Sequence, residues 1–187
     1  MTQRRIGLFG GTFDPPHKGH VAVLRAAAAM SRFDLLEVTV AGDPYQRAGT
    51  MFSAPERLAL AEAAFDQLAL VEVSDRELRR SGPTYTIDTV RELTADGDRV
   101  DLIIGADLVD RLATWHEADA LAAAVLVGVV PRPGGRTDLP APFRGYEIPM
   151  DPVDLSSTFI RELVPGHGDL RDFLPDEVIP LYERFRG

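Results

Sequence analysis

At 187 residues the chain is long enough for one domain, and a domain of that size buries roughly 70% of the surface its unfolded form exposes, so it folds without covalent staples. It holds no cysteine, which excludes disulfides, thiolate metal sites and a thiol nucleophile, and its net charge of −9 argues against binding along a nucleic-acid backbone. No apolar run approaches the roughly 20 residues of a membrane span, and MTQRRIGLFGG is broken by glycine before it reaches signal length, so a cytoplasmic protein with no membrane partner is expected.

Strand-like apolar runs alternate with helix-like ones along the chain. RIGLF (5–9) reads as a first strand, and the alanine-rich GHVAVLRAAAAM (19–30) as a helix. LLEVTVAG (35–42) is β-branched and apolar, hence a strand. SAPERLALAEAAF (53–65) opens with a serine, a proline in the first turn and a glutamate three residues on, which is the pattern of a capped helix. ALVEVSD (69–75) is a strand, TYTIDTVRELTADG (84–97) a helix closed by Gly97, RVDLIIGAD (99–107) and AVLVGVV (124–130) buried strands, and YEIPM (146–150) a short one. SSTFIRELV (156–164) and PDEVIPLYERFRG (175–187) read as short helices. The segments 42–52, 131–145 and 165–174 are dense in Gly, Pro or charge and read as loops.

This alternation predicts an α/β fold, a Rossmann-like doubly wound parallel sheet with helices on both faces; nearly continuous apolar strands fit buried parallel pairing better than alternation would. No linker separates two domains, so residues 1–187 are expected to form one, with a small C-terminal helical segment from about residue 156.

The stretch GGTFDPPHKGH (10–20) lies between the first strand and the first helix. In doubly wound sheets ligands bind beyond the carboxyl ends of the strands. Gly10 and Gly11 at that end let a bulky group approach the backbone, and free N–H groups at a helix start favour an anion. Thr12 adds a hydroxyl. His17 and His20, three residues apart, share a face once the helix has begun, and two imidazoles on one anion can stabilise charge developing on phosphate oxygens. Lys18, the only lysine in the chain, lies inside the motif.

GGTFDPPHKGH resembles the HxGH signature of the nucleotidyltransferase superfamily, in the version used by nicotinate-nucleotide adenylyltransferases, with His17 and His20 on its two histidines. Phosphopantetheine, glycerol-phosphate and FMN transferases share that signature, so later segments have to choose among them. SGPTYTIDTV (81–90) resembles the family's S-Y-T-x-x-T segment. IIGADLVDRLATWHEADAL (103–121) is similar to its I-G-A-D-x-L…W segment, VVPRPGG (129–135) to its V-x-R-P-G loop, and DLSSTFIRE (154–162) to its I-S-S-T-x-I-R motif. Together the matches run from about residue 5 to 185.

The resemblance implies an enzyme that joins the adenylyl group of ATP to nicotinate mononucleotide, with Mg2+ accompanying ATP and no dedicated metal ligands on the protein. It implies His17, His20, Lys18 and Arg161 as catalytic groups. ATP would meet Gly10, Gly11, Thr12, Phe13, His20, Gly105, Asp107, Arg132, Ser156, Ser157, Thr158 and Arg161. The mononucleotide would meet Arg47, Thr84, Tyr85, Thr86 and Trp115, the only tryptophan, whose flat face suits a pyridine ring. One segment departs from the family: where many members carry P-P-H-K after the second strand, this chain reads GDPYQR (42–47), keeping Pro44 and a positive charge at Arg47 but placing Tyr45 and Gln46 in between. Rival readings are a transferase with another acceptor such as nicotinamide mononucleotide, a nucleotide-binding module without catalysis, and a dehydrogenase cofactor module, for which the glycines lack GxGxxG spacing. The sequence is compatible with a homo-oligomer and does not fix one.

Overall fold

The computed structural model describes residues 3–42, 49–95, 97–163 and 169–187. The chain runs β1 (Arg5–Gly11), α1 (Lys18–Ala29), β2 (Leu35–Val40), α2 (Ala54–Phe65), β3 (Val71–Ser74), α3 (Thr86–Ala95), β4 (Arg99–Gly105), a 3-10 helix (Ala106–Thr114), α4 (Ala118–Ala124), β5 (Leu126–Val130), β6 (Gly145–Glu147), α5 (Ser157–Glu162), a 3-10 turn (Leu170–Asp172) and α6 (Ile179–Arg186). The six strands form one sheet in the order β3-β2-β1-β4-β5-β6, and every pairing is parallel. This is the expected doubly wound arrangement. The chain reverses direction across the sheet between β1 and β4, the switch point at which such folds leave a crevice.

Two apolar layers explain why these runs became strands. On one face Phe9, Val38 and Ile103 pack with Val23 and Leu24 of α1, Leu60 and Phe65 of α2 and Tyr182 of α6. On the other, Ile6, Leu8, Leu102 and Ile104 pack with Ile87, Val90 and Leu93 of α3, Val109 and Leu112 of the 3-10 helix and Leu121 of α4. All six residues of β2 are buried, as a strand covered on both sides requires.

Boundaries differ from the sequence reading where tertiary contacts override local pattern. Helix α3 starts at Thr86 rather than 84, because Gly82 takes a positive φ of 87° and the Thr84 side chain is engaged by Glu77. β5 begins at Leu126, since the preceding alanines form α4, and β6 ends at Glu147, where pairing with β5 stops. Arg47 and the rest of GDPYQR after Gly42 lie outside the described residues. Among those described, no helix is long and apolar enough to cross a membrane.

Candidate active site

A cleft of about 310 Å3 opens at the carboxyl ends of β1 and β4. Gly10 and Gly11 form its floor from β1. A Cβ added at Gly10 would meet nothing within 4 Å, so the backbone there faces open space into which a ligand fits. Thr12 follows, then Phe13, which is buried with a left-handed φ of 50°. A non-glycine residue in that region is held by its surroundings. The Phe13 ring meets Phe9 at 5.7 Å, Phe65 at 5.5 Å and His20 at 5.1 Å, all edge-on, and so becomes the apolar wedge that backs His20.

His17 caps the start of α1 and His20 stands one turn into it. The imidazoles stack, with centroids 3.7 Å apart and planes 25° from parallel. The His17 backbone N–H donates to His20 Nδ1 at 3.1 Å. A neutral His20 therefore carries its hydrogen on Nε2, and can present it as a donor. Gly19 makes room for the stack: a Cβ there would approach His17 Nδ1 to 2.9 Å.

His17 is 2% exposed, and burial, followed by the nearby Arg132 charge, holds its pKa down to about 3 from an ordinary 6.5. Below 6.5 the unfolded chain takes up a proton that the folded one refuses, so stability falls with pH from about 6.5 toward 3. From pH 7 to pH 5 this residue alone should remove about 2 kcal/mol. Urea midpoints at the two pH values test it, and His17→Asn should flatten the difference.

The far wall comes from Gly105 and Asp107 at the end of β4, Arg132 after β5, and Ser156, Ser157 and Thr158 at the start of α5. Ser156 Oγ accepts from the Phe159 N–H at 3.1 Å, and Ser157 Oγ donates to the Pro15 carbonyl at 2.8 Å, so α5 is bound to the histidine loop. Arg132 Nη1 donates to the carbonyls of Val153 (2.9 Å) and Leu155 (3.0 Å), and its Nε lies 3.8 Å from Asp107 Oδ1. One arginine thus fixes the approach to the serine pair and faces the cleft.

At the other end the cleft meets Thr84, Thr86 and Trp115. Trp115 Nε1–H is buried without a hydrogen-bond partner. Glu77 also lines this end, and the sequence reading missed it: a glutamate among the charges of SDRELRR looks like a solvated turn.

The cleft brings together Gly10, Gly11, Thr12, Phe13, His17, His20, Thr84, Thr86, Gly105, Asp107, Trp115, Arg132, Ser156, Ser157 and Thr158. It does not bring in Lys18, Tyr85 or Arg161. Lys18 is exposed and its Nζ donates to the Arg171 carbonyl. Arg161 donates through Nη1 to the Asp14 carbonyl at 2.7 Å and through Nη2 to Thr158 Oγ1 at 3.1 Å. Tyr85 stacks on His116, with centroids 4.0 Å apart. Among the described residues, no group of three or more His, Asp or Glu side chains is placed to hold a metal ion.

Fold and cleft together define a nucleotide-binding α/β protein, with its cleft at the switch point of a 3-2-1-4-5-6 sheet. Residues 8–163 match the cytidylyltransferase-like family model. Relatives named nicotinate-nucleotide adenylyltransferase include one from Methylibium petroleiphilum, 37% identical over 98% of this chain and 90% of the relative, and one from Bordetella petrii, 39% identical over 94% of each. The chain belongs to the cytidylyltransferase-like family and, within it, to the nicotinate-nucleotide adenylyltransferases. The same fold is found in the nicotinic acid mononucleotide adenylyltransferase of Plasmodium falciparum complexed with NaAD, with a TM-score of 0.83 at 17% identity over 98% of this chain and 96% of that one.

Proposed function

We propose that the protein transfers the adenylyl group of ATP to nicotinate mononucleotide, giving nicotinate adenine dinucleotide (deamido-NAD) and pyrophosphate. The observation that carries this reading is a single cleft with a stacked histidine pair and a helix start at one end, and a tryptophan beside a second helix start at the other. The first end suits the phosphates of ATP and the second a flat pyridine ring.

In the reaction a phosphate oxygen of the mononucleotide attacks the α-phosphorus of ATP. A new P–O bond forms, the α–β anhydride bond breaks, and its electron pair leaves on pyrophosphate. The attacking oxygen is already an anion, so no general base is needed. The protein's part is positioning and charge stabilisation. His20 donates Nε2–H to the oxygens that gain charge, and His17, kept neutral by burial, orients it through the stack and the 3.1 Å bond. Gly10, Gly11, Thr12, Gly105 and Asp107 border the adenosine and its phosphates, and Arg132, Ser156, Ser157 and Thr158 close over them.

Arg161 and Lys18 act as positioning residues of the phosphate end. Arg161 binds the Asp14 carbonyl to Thr158, and Lys18 holds the C-terminal segment through the Arg171 carbonyl. Magnesium would enter as the ATP complex, its coordination coming mainly from phosphate and water, with Asp107 the carboxylate that the phosphate end of the cleft could offer it. We place the enzyme in the cytoplasm, in keeping with a chain free of cysteine.

The test supplies purified protein with MgATP and either nicotinate or nicotinamide mononucleotide, following pyrophosphate release and dinucleotide formation. The nicotinate form is the expected acceptor; no dinucleotide from it overturns the reading. Trp115→Ala should raise the KM for the mononucleotide about 5- to 150-fold, the worth of one base–aromatic stack, and that for ATP far less. Equal effects on both would remove Trp115 from the pyridine pocket.

A further inference from the structure

Glu77 is a charged side chain in the cleft wall that no step above uses. It is 9% exposed and sits in the turn between β3 and α3, beside Thr84 and Thr86. Its carboxylate accepts from Thr89 Oγ1 at 2.7 Å and from the Thr84 hydroxyl. Thr89 is fully buried, Thr84 is 7% exposed, and Thr89 Oγ1 in turn accepts from Arg80 Nη1 at 3.0 Å.

A ladder of charges holds this turn. Arg80 Nε donates to Glu92 on α3 at 2.8 Å. Arg76 donates to the same glutamate at 3.1 Å, and to both oxygens of the buried Glu37 on β2 at 2.6 and 3.1 Å. From the β2 side the packing is equally tight, since a Cβ on Gly42 would come within 2.4 Å of the Glu77 carbonyl oxygen. The groups facing Glu77 are thus two hydroxyls and the Arg80 guanidinium, with Glu92 beyond. Burial raises its pKa while the threonine bonds and Arg80 oppose that rise.

We propose that Glu77 is a positioning residue for the acceptor nucleotide: by taking the hydroxyl hydrogens of Thr84 and Thr89 it fixes the start of α3 as a wall of the cleft and commits the Thr84 hydrogen away from the ligand. A hydroxyl has one hydrogen to give, and a carboxylate accepts it more strongly than a neutral oxygen does. An anionic ring substituent is therefore received by the Thr86 hydroxyl and the N–H groups that open α3, which the helix dipole favours. Thr84, which the motif alone makes a direct ligand, serves instead as the link between Glu77 and that wall.

This inference rests on the proposed activity. Its test compares KM for nicotinate mononucleotide and for ATP in wild type, Glu77→Ala, Glu77→Gln, Thr84→Val and the double variant Glu77→Ala/Thr84→Val. Glu77→Ala should raise the mononucleotide KM about tenfold, the loss of one buried hydrogen bond to a charge, with kcat and the ATP KM changed less than about twofold. Glu77→Gln keeps an oxygen for the threonines and should recover most of the loss. Thr84→Val should match Glu77→Ala, and the double variant should be no worse than either.

If Thr84 donated directly to the ligand, Glu77→Ala would free its hydrogen and the mononucleotide KM would hold or fall, which overturns the proposal. Equal rises in both KM values, or additive single effects, also overturn it. Should the alanine variant fail to fold, Glu77→Leu, which fills the same space but accepts no hydrogen bond, decides in its place: a selective rise in the mononucleotide KM supports the proposal, and an unchanged or lower value overturns it. A wild-type enzyme that makes no dinucleotide refutes the activity itself, whereas active wild type with inseparable variants refutes only the role of Glu77.

Discussion

Replacing His20 by alanine is expected to lower kcat by about 100- to 1,000-fold, the usual cost of losing one donor aimed at developing negative charge. The imidazole has two separable duties. Nδ1 accepts the His17 N–H at the opening of α1, and Nε2 is left with the hydrogen that meets the phosphates. Alanine removes both. The first loss leaves a helix-start N–H without its acceptor and costs about 1 kcal/mol of stability. The second is the loss of catalysis. His20→Asn separates them, because a short amide oxygen can cap the helix start while nothing replaces Nε2. The asparagine variant should therefore melt close to wild type and stay slow. Wild-type turnover in either variant would remove His20 from the reacting phosphate. A slow alanine variant restored by asparagine would mean that capping, rather than donation, was the duty that mattered.

The same loop shows how far a sequence carries such an argument. The glycine pair, the threonine and the histidine spacing were readable because each depends on local backbone chemistry: closeness of approach, a free helix start, one face of a turn. The parallel sheet was readable for a related reason, since LLEVTV is mostly apolar and β-branched. That all six of its residues are buried was not, because Glu37 and Thr39 share one face of the strand and are covered only through the distant Arg76, which pairs with Glu37. What lay beyond reach was the direction of long side chains. Lys18 and Arg161 stand among phosphate-site residues in the motifs, yet they bind the carbonyls of Arg171 and Asp14. Glu77 and Arg57 look like ordinary surface charges in their segments, and both are buried because groups elsewhere in the chain need them, the Thr84 and Thr89 hydroxyls for Glu77 and the carbonyls of Thr12, Ala41 and Gly42 for Arg57. The 3-10 helix from Ala106 to Thr114 was missed because its apolar residues Val109 and Leu112 recur every three positions in a segment taken only as a motif.

Arg57 provides the second large effect, this time on stability. Its side chain, on α2, is 1% exposed. Nη1 donates to the carbonyls of Thr12 (2.9 Å) and Ala41 (2.7 Å), and Nη2 to that of Gly42 (3.2 Å). These carbonyls belong to the chain leaving β1 and the chain leaving β2, so one guanidinium ties the cleft's floor to the strand beside it. The compensating charge is Asp14, whose own oxygens accept from the N–H groups of Met51 (2.9 Å) and Phe52 (3.0 Å) and which also faces Arg161 at 3.6 Å. Burial lowers the Arg57 pKa, and this arginine keeps its charge because the group is so strongly basic. Arg57→Met fills most of the volume but leaves three inward carbonyls without donors. The expected loss is about 3–5 kcal/mol, equivalent to a fall in Tm of roughly 6–20 °C for a chain of this size. Arg57→Lys keeps a charge and three donors on a compact head that cannot span the carbonyls as the planar fork does, and should fall between the two. Because the residue holds both strand ends, the folded fraction of Arg57→Met should bind both nucleotides more weakly, unlike the one-sided effects expected at Trp115 and Glu77. A methionine variant that melts within about 2 °C of wild type, less than about 1 kcal/mol, would show that water replaces the guanidinium and that the two loops hold their places without it.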